Sequence, residues 1–159
     1  MLTEIELEKA LKAHRSTVYR LAASYLGSTS DCEDIVQEAF IRLYMRYKPF
    51  SDDSQTRAWL IRVTANLCKN HLRSRRSKTT EGLPDDTADT NGLTAQERYE
   101  LKCALNSLKP DNRAVICLYY YEGLSVQEIS KALKISVTAV TTRLQRGREA
   151  LRKFLSDEQ

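Results

Sequence analysis

Basic side chains gather in two separate stretches of the chain, where they could neutralise a polyanion. No acidic residue lies between Ser54 and Thr80, while that stretch holds the cations Arg57, Arg62, Lys69, Arg73, Arg75, Arg76 and Lys78. The second stretch sets Glu149 among Arg143, Arg146, Arg148, Arg152 and Lys153. Lysine and arginine supply most contacts to nucleic-acid phosphates. The clusters therefore predict two places where a nucleic acid could bind.

The second basic stretch overlaps a segment with the dimensions of a helix-turn-helix: a short helix capped by Ser125, a brief turn, and a longer helix after Ser136. The helical period predicts a buried face formed by Val137, Val140, Leu144, Gly147 and Leu151. It predicts an outward face formed by Thr138, Ala139, Thr142, Arg143 and Arg146. Short side chains at a helix N-terminus can enter the major groove, and the arginines can reach base edges or phosphates. The alternative is that Ser136 is only a cap and the arginines a solvated face.

The first basic stretch predicts a different kind of nucleic-acid surface. Between Arg57 and Arg76 an aromatic ring, two amides and a histidine alternate with cations. Such a face suits a single DNA strand, whose phosphates need neutralising while its bases meet amides or rings. Asn66 and Asn70 stand one helical turn apart and form a polar stripe with Lys69 and Arg73 beside it. Trp59 is expected to be a core anchor.

No pattern typical of catalysis, cofactor binding or metal binding is present in the sequence. There is no GxxxxGK[ST] loop and no HExxH pair, and the four cysteines show no ligand spacing. We therefore expect a protein that is not an enzyme, with no catalytic residue, no cofactor and no metal. His14 is expected to be solvated, and the cysteines to be buried thiols in a reducing compartment.

The sequence predicts that the elements positioning these residues are all helices. Gly (5) and Pro (3) are scarce, and apolar residues rarely alternate with polar ones. Capping boxes are predicted at Thr3/Glu6, Ser30/Glu33, Thr94/Glu97 and Ser125/Glu128. The predicted helices are Glu4–Leu26, Asp31–Tyr47, Gln55–Arg75, Thr94–Leu108, Asp111–Tyr121, Ser125–Leu133 and Ser136–Leu155. The fold class is therefore all-α, with two small helical bundles joined by a flexible linker, the second containing the helix-turn-helix.

The apolar runs are too short to span a bilayer, and no leader pattern opens the sequence. We therefore expect a cytoplasmic protein with no membrane segment of its own.

The order and the amino-acid sequences of these segments resemble those of the extracytoplasmic-function (ECF) sigma factors. These are two-domain members of the sigma-70 family of bacterial RNA polymerase. The residues that carry the resemblance are Asp31–Tyr44, Arg57–Arg76 and Leu124–Leu144. The resemblance implies an alternative sigma factor that binds core RNA polymerase and directs promoter-specific transcription initiation. It assigns residues 1–76 to sigma region 2, which binds core polymerase and the promoter −10 box, 77–93 to a linker, and 94–159 to sigma region 4, which binds the −35 box.

The resemblance also implies roles for particular residues. The polymerase contacts, to the clamp helices of the largest subunit, would come from Asp34, Gln37, Glu38 and Arg42. The melted downstream (−10) box would meet the loop 48–53 and Asn66, Lys69, Asn70, Arg73, Arg75 and Arg76. The upstream (−35) box would be read as duplex by Ser136, Thr138, Ala139, Thr142, Arg143 and Arg146. Further implied partners are the polymerase flap and an anti-sigma factor. Lys134 replaces a frequent family glycine and would carry about 1 kcal/mol of strain if left-handed.

Two other functions use the same features. A one-component repressor or activator would bind a palindromic duplex tightly without polymerase, through a dimer interface or a ligand pocket. A helical adaptor would bind only protein, so that substituting Arg143 and Arg146 would leave its activity unchanged.

Overall fold

The computed structural model describes residues 1–46, 48–74 and 92–157, and every regular element in these ranges is a helix. The first bundle consists of α1 (Glu4–Tyr25), α2 (Thr29–Tyr44) and α3 (Asp53–Ser74). The second consists of α4 (Ala95–Asn106), α5 (Pro110–Ile116), a π-helical segment (Cys117–Tyr121) that continues α5, α6 (Val126–Leu133) and α7 (Val137–Asp157). The predicted all-α class is confirmed, and the predicted linker lies outside the described residues up to position 91.

Side-chain caps set most of the helix starts, as the sequence predicted. Thr3 and Ser125 form complete capping boxes, and the hydroxyl of Thr94 accepts from the backbone N–H of Glu97. The box predicted at Ser30 is wrong, because α2 begins earlier and the Ser28 hydroxyl caps it by accepting from the N–H of Asp31 at 3.3 Å. The same helix ends at Tyr44, before the predicted end at position 47.

The apolar faces of α1, α2 and α3 meet in the core of the first bundle. Its most buried members include Val18, Ala39, Leu43 and Leu60. Trp59 is half-buried and packs against this core, with its ring centroid 5.9 Å from that of Phe50. The opposite faces of α2 and α3 remain in contact with solvent and carry the predicted functional side chains.

A second apolar cluster joins the two bundles. Leu21 and Ile61 of the first bundle share it with Leu118, Ile129 and Leu144 of the second. This contact arises because α1 packs against α5 and α3 packs against α6. The two bundles are therefore packed on each other, an arrangement that the sequence did not predict.

Two of the four thiols are small core side chains. Cys32 and Cys68 are fully buried, whereas Cys103 and Cys117 are half-buried, so the prediction of buried thiols holds only for the first pair. Burial, together with the neighbouring carboxylates of Asp31 and Glu33, raises the pKa of the Cys32 thiol to about 12. Cys32 is therefore a neutral, unreactive thiol at physiological pH.

Candidate nucleic-acid interface

The helix-turn-helix forms as predicted, with α6 and α7 joined by a three-residue turn, 134–136. Lys134 is left-handed, with φ 56° and ψ 47°, which confirms the strained conformation expected where a glycine is common. The hydroxyl of Ser136 accepts from the backbone N–H of Ala139 at 3.0 Å and so caps α7. The turn therefore directs the N-terminal end of α7 away from the bundle.

The predicted reading face of α7 divides into exposed and half-buried residues. Ser136, Thr138 and Arg146 are exposed, whereas Ala139, Thr142 and Arg143 are half-buried. The opposite face packs inward through Val140, Leu144 and Gly147, as predicted. The prediction that Val137 is buried is wrong. It is 43% exposed, because the first residue of α7 precedes the helical turn that contacts the core.

A glycine allows α7 to approach α5 closely. A Cβ atom at Gly147 would lie 2.8 Å from Cγ1 of Ile116, a distance that real Cβ atoms do not show. Glycine at this position therefore lets α7 lie against α5, which in turn fixes the direction in which the N-terminal end of α7 projects.

On α3 the predicted polar stripe is present. Asn66, Asn70 and Arg73 are exposed and Lys69 is half-buried, while Ala65 on the other side of the helix is buried in the core. The predicted contacts Arg75 and Arg76 lie outside the described residues. Amides and cations thus share one accessible surface of α3, as a strand-binding face requires.

The loop before α3 is held by stacking and hydrogen bonding. The guanidinium of Arg46 lies 4.0 Å from the ring centroid of Phe50 and 5.2 Å from that of Trp59. Asp52 caps the helix by accepting from the N–H of Gln55 at 2.9 Å, and hydrogen bonds from Ser54 and Gln55 lower the pKa of the Asp52 carboxyl. The loop assigned to the downstream box is therefore well anchored.

His14 is buried, which corrects the prediction that it is solvated. Its side chain is 5% exposed, and its Nε2 lies 2.8 Å from Oδ1 of Asp53, the first residue of α3. The contact ties the start of α3 to α1. The local sequence around His14 is polar and carries no signal of this burial, because the partner is distant in the chain.

The predicted polymerase-binding residues occupy the outer face of α2. Asp34, Gln37 and Arg42 are exposed, and the Arg42 Nε donates to Oε1 of Glu38 at 3.0 Å. Beside them a shallow groove of about 390 Å³ runs between α1 and α2, and its apolar floor is formed by Leu7, Leu11, Val36, Phe40 and Ile41. An apolar groove with a polar rim is the usual anatomy of a protein-binding surface.

The two predicted DNA faces line one cleft between the bundles. Lys69 and Arg73 of α3 stand on one wall, and Arg143 and Arg146 of α7 on the other. We call this space, of about 1150 Å³, the interbundle cleft. The sequence indicated both basic surfaces but not that they lie opposite each other.

Glu122, which follows the π-helical segment, connects the bundles. Its carboxylate accepts from the Arg20 Nε at 2.7 Å and from the Thr17 hydroxyl at 2.9 Å, and its carbonyl accepts from Arg57 at 2.9 Å. Burial lowers the pKa of Arg20, but the hydrogen bond and charge of Glu122 outweigh that effect and leave the pKa raised. The Glu122 side chain is 5% exposed, so this is a largely desolvated contact.

Arg113 makes a second buried connection between the bundles. Its Nε donates to the carbonyl of Ser24 in α1, and its Nη1 donates to the carbonyls of Leu105 and Leu108. Burial lowers the pKa of Arg113 to about 10, so the group is still charged at neutral pH. A charge solvated by backbone carbonyls at this position favours the packed arrangement of the bundles.

Within residues 1–46, 48–74 and 92–157, no group of His, Cys, Asp and Glu side chains is arranged to hold a metal ion. No helix in these described ranges has the length and apolarity needed to cross a membrane.

Comparison with protein families matches both bundles. Residues 10–78 match the family model described as Sigma-70 region 2, and residues 98–151 match the model described as Sigma-70, region 4. The first match covers most of α1 and all of α2 and α3, and the second covers most of α4–α7, so each bundle corresponds to one family region.

Individual proteins agree with these matches. The chain is 36% identical to the ECF RNA polymerase sigma factor SigW of Bacillus subtilis, with 91% of this chain and 86% of that protein covered. It is 34% identical to SigE of Mycolicibacterium smegmatis, covering 94% of this chain but 61% of that longer protein.

Two solved structures share the fold. RpoE of Bartonella quintana, solved with the anti-sigma factor NepR, superposes with a TM-score of 0.79 at 20% identity, covering 97% of this chain and 99% of that one. CnrH, solved with the cytosolic domain of CnrY, superposes with a TM-score of 0.73 at 24% identity, covering 99% of this chain and 92% of that one. The family matches, the similarity to SigW and the shared fold agree, and the chain belongs to the ECF sigma factors of the sigma-70 family.

Proposed function

We propose that this chain acts as the alternative sigma factor that its family membership indicates, binding core RNA polymerase and directing initiation at a particular set of promoters. The observation that carries the proposal is the presence of two different nucleic-acid surfaces in one chain. One is the amide and cation stripe of α3, and the other is the capped N-terminal end of α7. Residues 1–76 act as sigma region 2, 77–93 as the linker and 94–159 as sigma region 4.

The two surfaces suit DNA in different states. The N-terminal end of α7 carries small side chains followed by arginines, which fits a duplex major groove at the upstream box. The α3 stripe carries Asn66 and Asn70 beside Lys69 and Arg73, which fits bases of a melted strand at the downstream box. Arg75 and Arg76 extend the same basic sequence and are proposed to contact that strand as well.

The polymerase is bound through α2. Asp34 and Gln37 line the apolar groove, and Glu38 and Arg42 belong to the same helix. These four residues contact the clamp helices of the largest subunit, while the second bundle contacts the flap. Because RpoE was solved in complex with the anti-sigma factor NepR, an anti-sigma factor is proposed as a partner here too. The chain performs no reaction of its own and works in the cytoplasm with the polymerase.

Promoter binding requires the bundles to separate. In the packed arrangement Arg143 and Lys69 line the same cleft, so the two faces cannot lie on promoter boxes at separate positions of one DNA. Polymerase, by holding each bundle at its own site, supplies the binding free energy that outweighs the contacts of Glu122 and Arg113.

Variants of α7 and of α2 test whether DNA binding and polymerase binding belong to separate surfaces. Arg146→Ala removes an exposed cation from α7 and is expected to reduce run-off transcription about tenfold while leaving core-polymerase capture unchanged. Arg143→Ala is expected to act in the same direction. Glu38→Arg, on α2, is expected to reduce capture itself. Loss of capture in Arg146→Ala, or full capture by Glu38→Arg, would contradict the assignment of these faces.

Lys12→Ala serves as a matched control for these variants. Lys12 is an exposed cation of α1 whose only described partner is Glu8, at 4.0 Å. Its removal changes the net charge as Arg146→Ala does, so a general charge effect would reduce transcription equally in both.

A further inference from the structure

The interbundle cleft contains two buried hydrogen-bond donors that have no partner among the residues the structure describes. They are the hydroxyl of Tyr25 and Nη1 of Arg143. Tyr25 is 2% exposed, and it lines the cleft from α1 while Arg143 lines it from α7. Buried donors without an acceptor are rare in folded proteins, because each forgoes its hydrogen bonds to water. Both residues line the same cleft, and the charge of Arg143 acts on the Tyr25 phenol, so the two groups lie near each other.

The charge around this space is strongly positive. The cationic side chains that line it are Lys69, Arg73, Lys109, Arg143 and Arg146. Asp111 is the only carboxylate among the described lining residues. Cations from both bundles thus converge on one concave site, where like charges repel unless an anion lies between them.

The Tyr25 hydroxyl remains a donor under physiological conditions. Burial, reinforced by the charge of Asp111, raises the pKa of Tyr25 well above its ordinary value despite the opposing charge of Arg143. The protonated phenol and the neighbouring guanidinium are both hydrogen-bond donors, so a ligand between them must supply acceptors. Phosphate oxygens are strong acceptors, and arginine binds them in bidentate geometry.

The number of cations and the volume indicate the class of ligand. A single carboxylate would neutralise one of the five cationic side chains, whereas a chain of phosphates carries several negative charges in a row. The volume of about 1150 Å³ exceeds what a triphosphate needs. A DNA duplex presents its phosphates on a convex surface and does not fit a cleft walled by two bundles.

We propose that the interbundle cleft binds a small polyphosphate, either inorganic or as the phosphate tail of a nucleotide, whose oxygens accept from Tyr25 and Arg143 and whose charge bridges α3 and α7. This binding is separate from the proposed function, because it requires neither polymerase nor promoter. Its occupant would hold the bundles in the packed arrangement, since it contacts both walls.

Calorimetric titration of the full chain tests the proposal, with sodium tripolyphosphate and ATP as probes at constant ionic strength. We expect one saturable site per chain. Tyr25→Phe removes only the unpartnered hydroxyl, so the fold is retained, and the Kd for tripolyphosphate is expected to rise about tenfold. Arg143→Gln is expected to weaken binding at least as much.

Arg152→Gln is the matched control, because Arg152 is an exposed cation of the same helix that lies outside the cleft. It is expected to change the Kd less than about twofold. Tighter binding of ATP than of tripolyphosphate identifies a nucleotide as the occupant, and equal binding identifies the phosphate chain alone. Absence of a saturable site, an unchanged Kd in Tyr25→Phe, or an equal loss in Arg152→Gln would overturn the proposal, whatever the outcome of transcription assays.

Discussion

The coupling between Arg20 and Glu122 provides a quantitative test of how the bundles are held together. The pair joins α1 to the residue that follows the π-helical segment, at an N–O distance of 2.7 Å. The side chains are 20% and 5% exposed, so both are largely removed from water. Replacing each with alanine, singly and together, isolates their interaction in a double-mutant cycle.

The expected magnitude follows from burial. Removing one member of a fully buried ion pair costs about 3–5 kcal/mol, whereas exposed pairs contribute about 0–1 kcal/mol. Arg20 keeps some solvent contact and also stacks on the ring of Tyr121 at 4.4 Å, an interaction that survives the loss of Glu122. We therefore expect a coupling free energy of about 2 kcal/mol, below the fully buried range.

Equilibrium unfolding in urea supplies the measurement. Trp59 is the one tryptophan of the chain and reports on the first bundle, while circular dichroism reports on both. The matched control is the cycle on Arg15 and Glu33, which form an ion pair at 2.8 Å with side chains 51% and 49% exposed. Its coupling should stay below about 0.5 kcal/mol. Equal coupling in the two cycles would refute the idea that burial strengthens the contact between the bundles.

Three further perturbations follow from individual contacts. Lys134→Gly relieves a left-handed backbone and should raise the free energy of unfolding by about 1 kcal/mol, a prediction that an unchanged melting temperature contradicts. Cys32, whose thiol pKa is about 12, should resist alkylation at pH 8 until the chain is unfolded, and mass spectrometry would detect earlier labelling. Hydrogen bonds from Ser125 lower the pKa of Glu128, so its stabilising contribution is present above the ordinary carboxyl pKa and is lost as pH falls through the lowered pKa. Unfolding midpoints of Glu128→Gln and the parent should therefore differ at pH 7 and converge in acid, below the lowered pKa; a constant difference would contradict this.

Local signals made the helices predictable from sequence. The caps at Thr3 and Ser125 act within one turn, so a hydroxyl followed by a glutamate three residues later marks the start of a helix. The buried faces of α7 and α2 follow from helical periodicity in the same way. Ser30 was mistaken for a cap because Ser28, equally suited, stands two positions earlier.

Contacts between distant parts of the chain were not predictable by these means. His14 lies in a polar stretch, and only the fold brings Asp53 to it. The packing of the two bundles depends likewise on Glu122 and Arg113, whose partners lie about a hundred residues away or in another helix. Periodicity identifies which side of a helix is buried, but it does not identify the element that covers it.

In the candidate site, too, local features were predictable from sequence and contacts between the bundles were not. Exposure of Asn66, Asn70 and Arg146 agrees with the helical pattern. Arg143, in contrast, belongs to the outward face by periodicity yet is half-buried, and it lines the interbundle cleft together with Tyr25 of the first bundle. Its placement depends on how the two bundles pack together.

As a sigma factor, this chain should give core RNA polymerase a promoter specificity. Run-off transcription on a genomic fragment library with core polymerase, in the presence and absence of the purified chain, tests this role. We expect discrete start sites that core polymerase alone does not produce, preceded by shared upstream and downstream sequences. Absence of such starts, together with tight binding of the chain alone to a palindromic duplex, would contradict the account and favour a repressor.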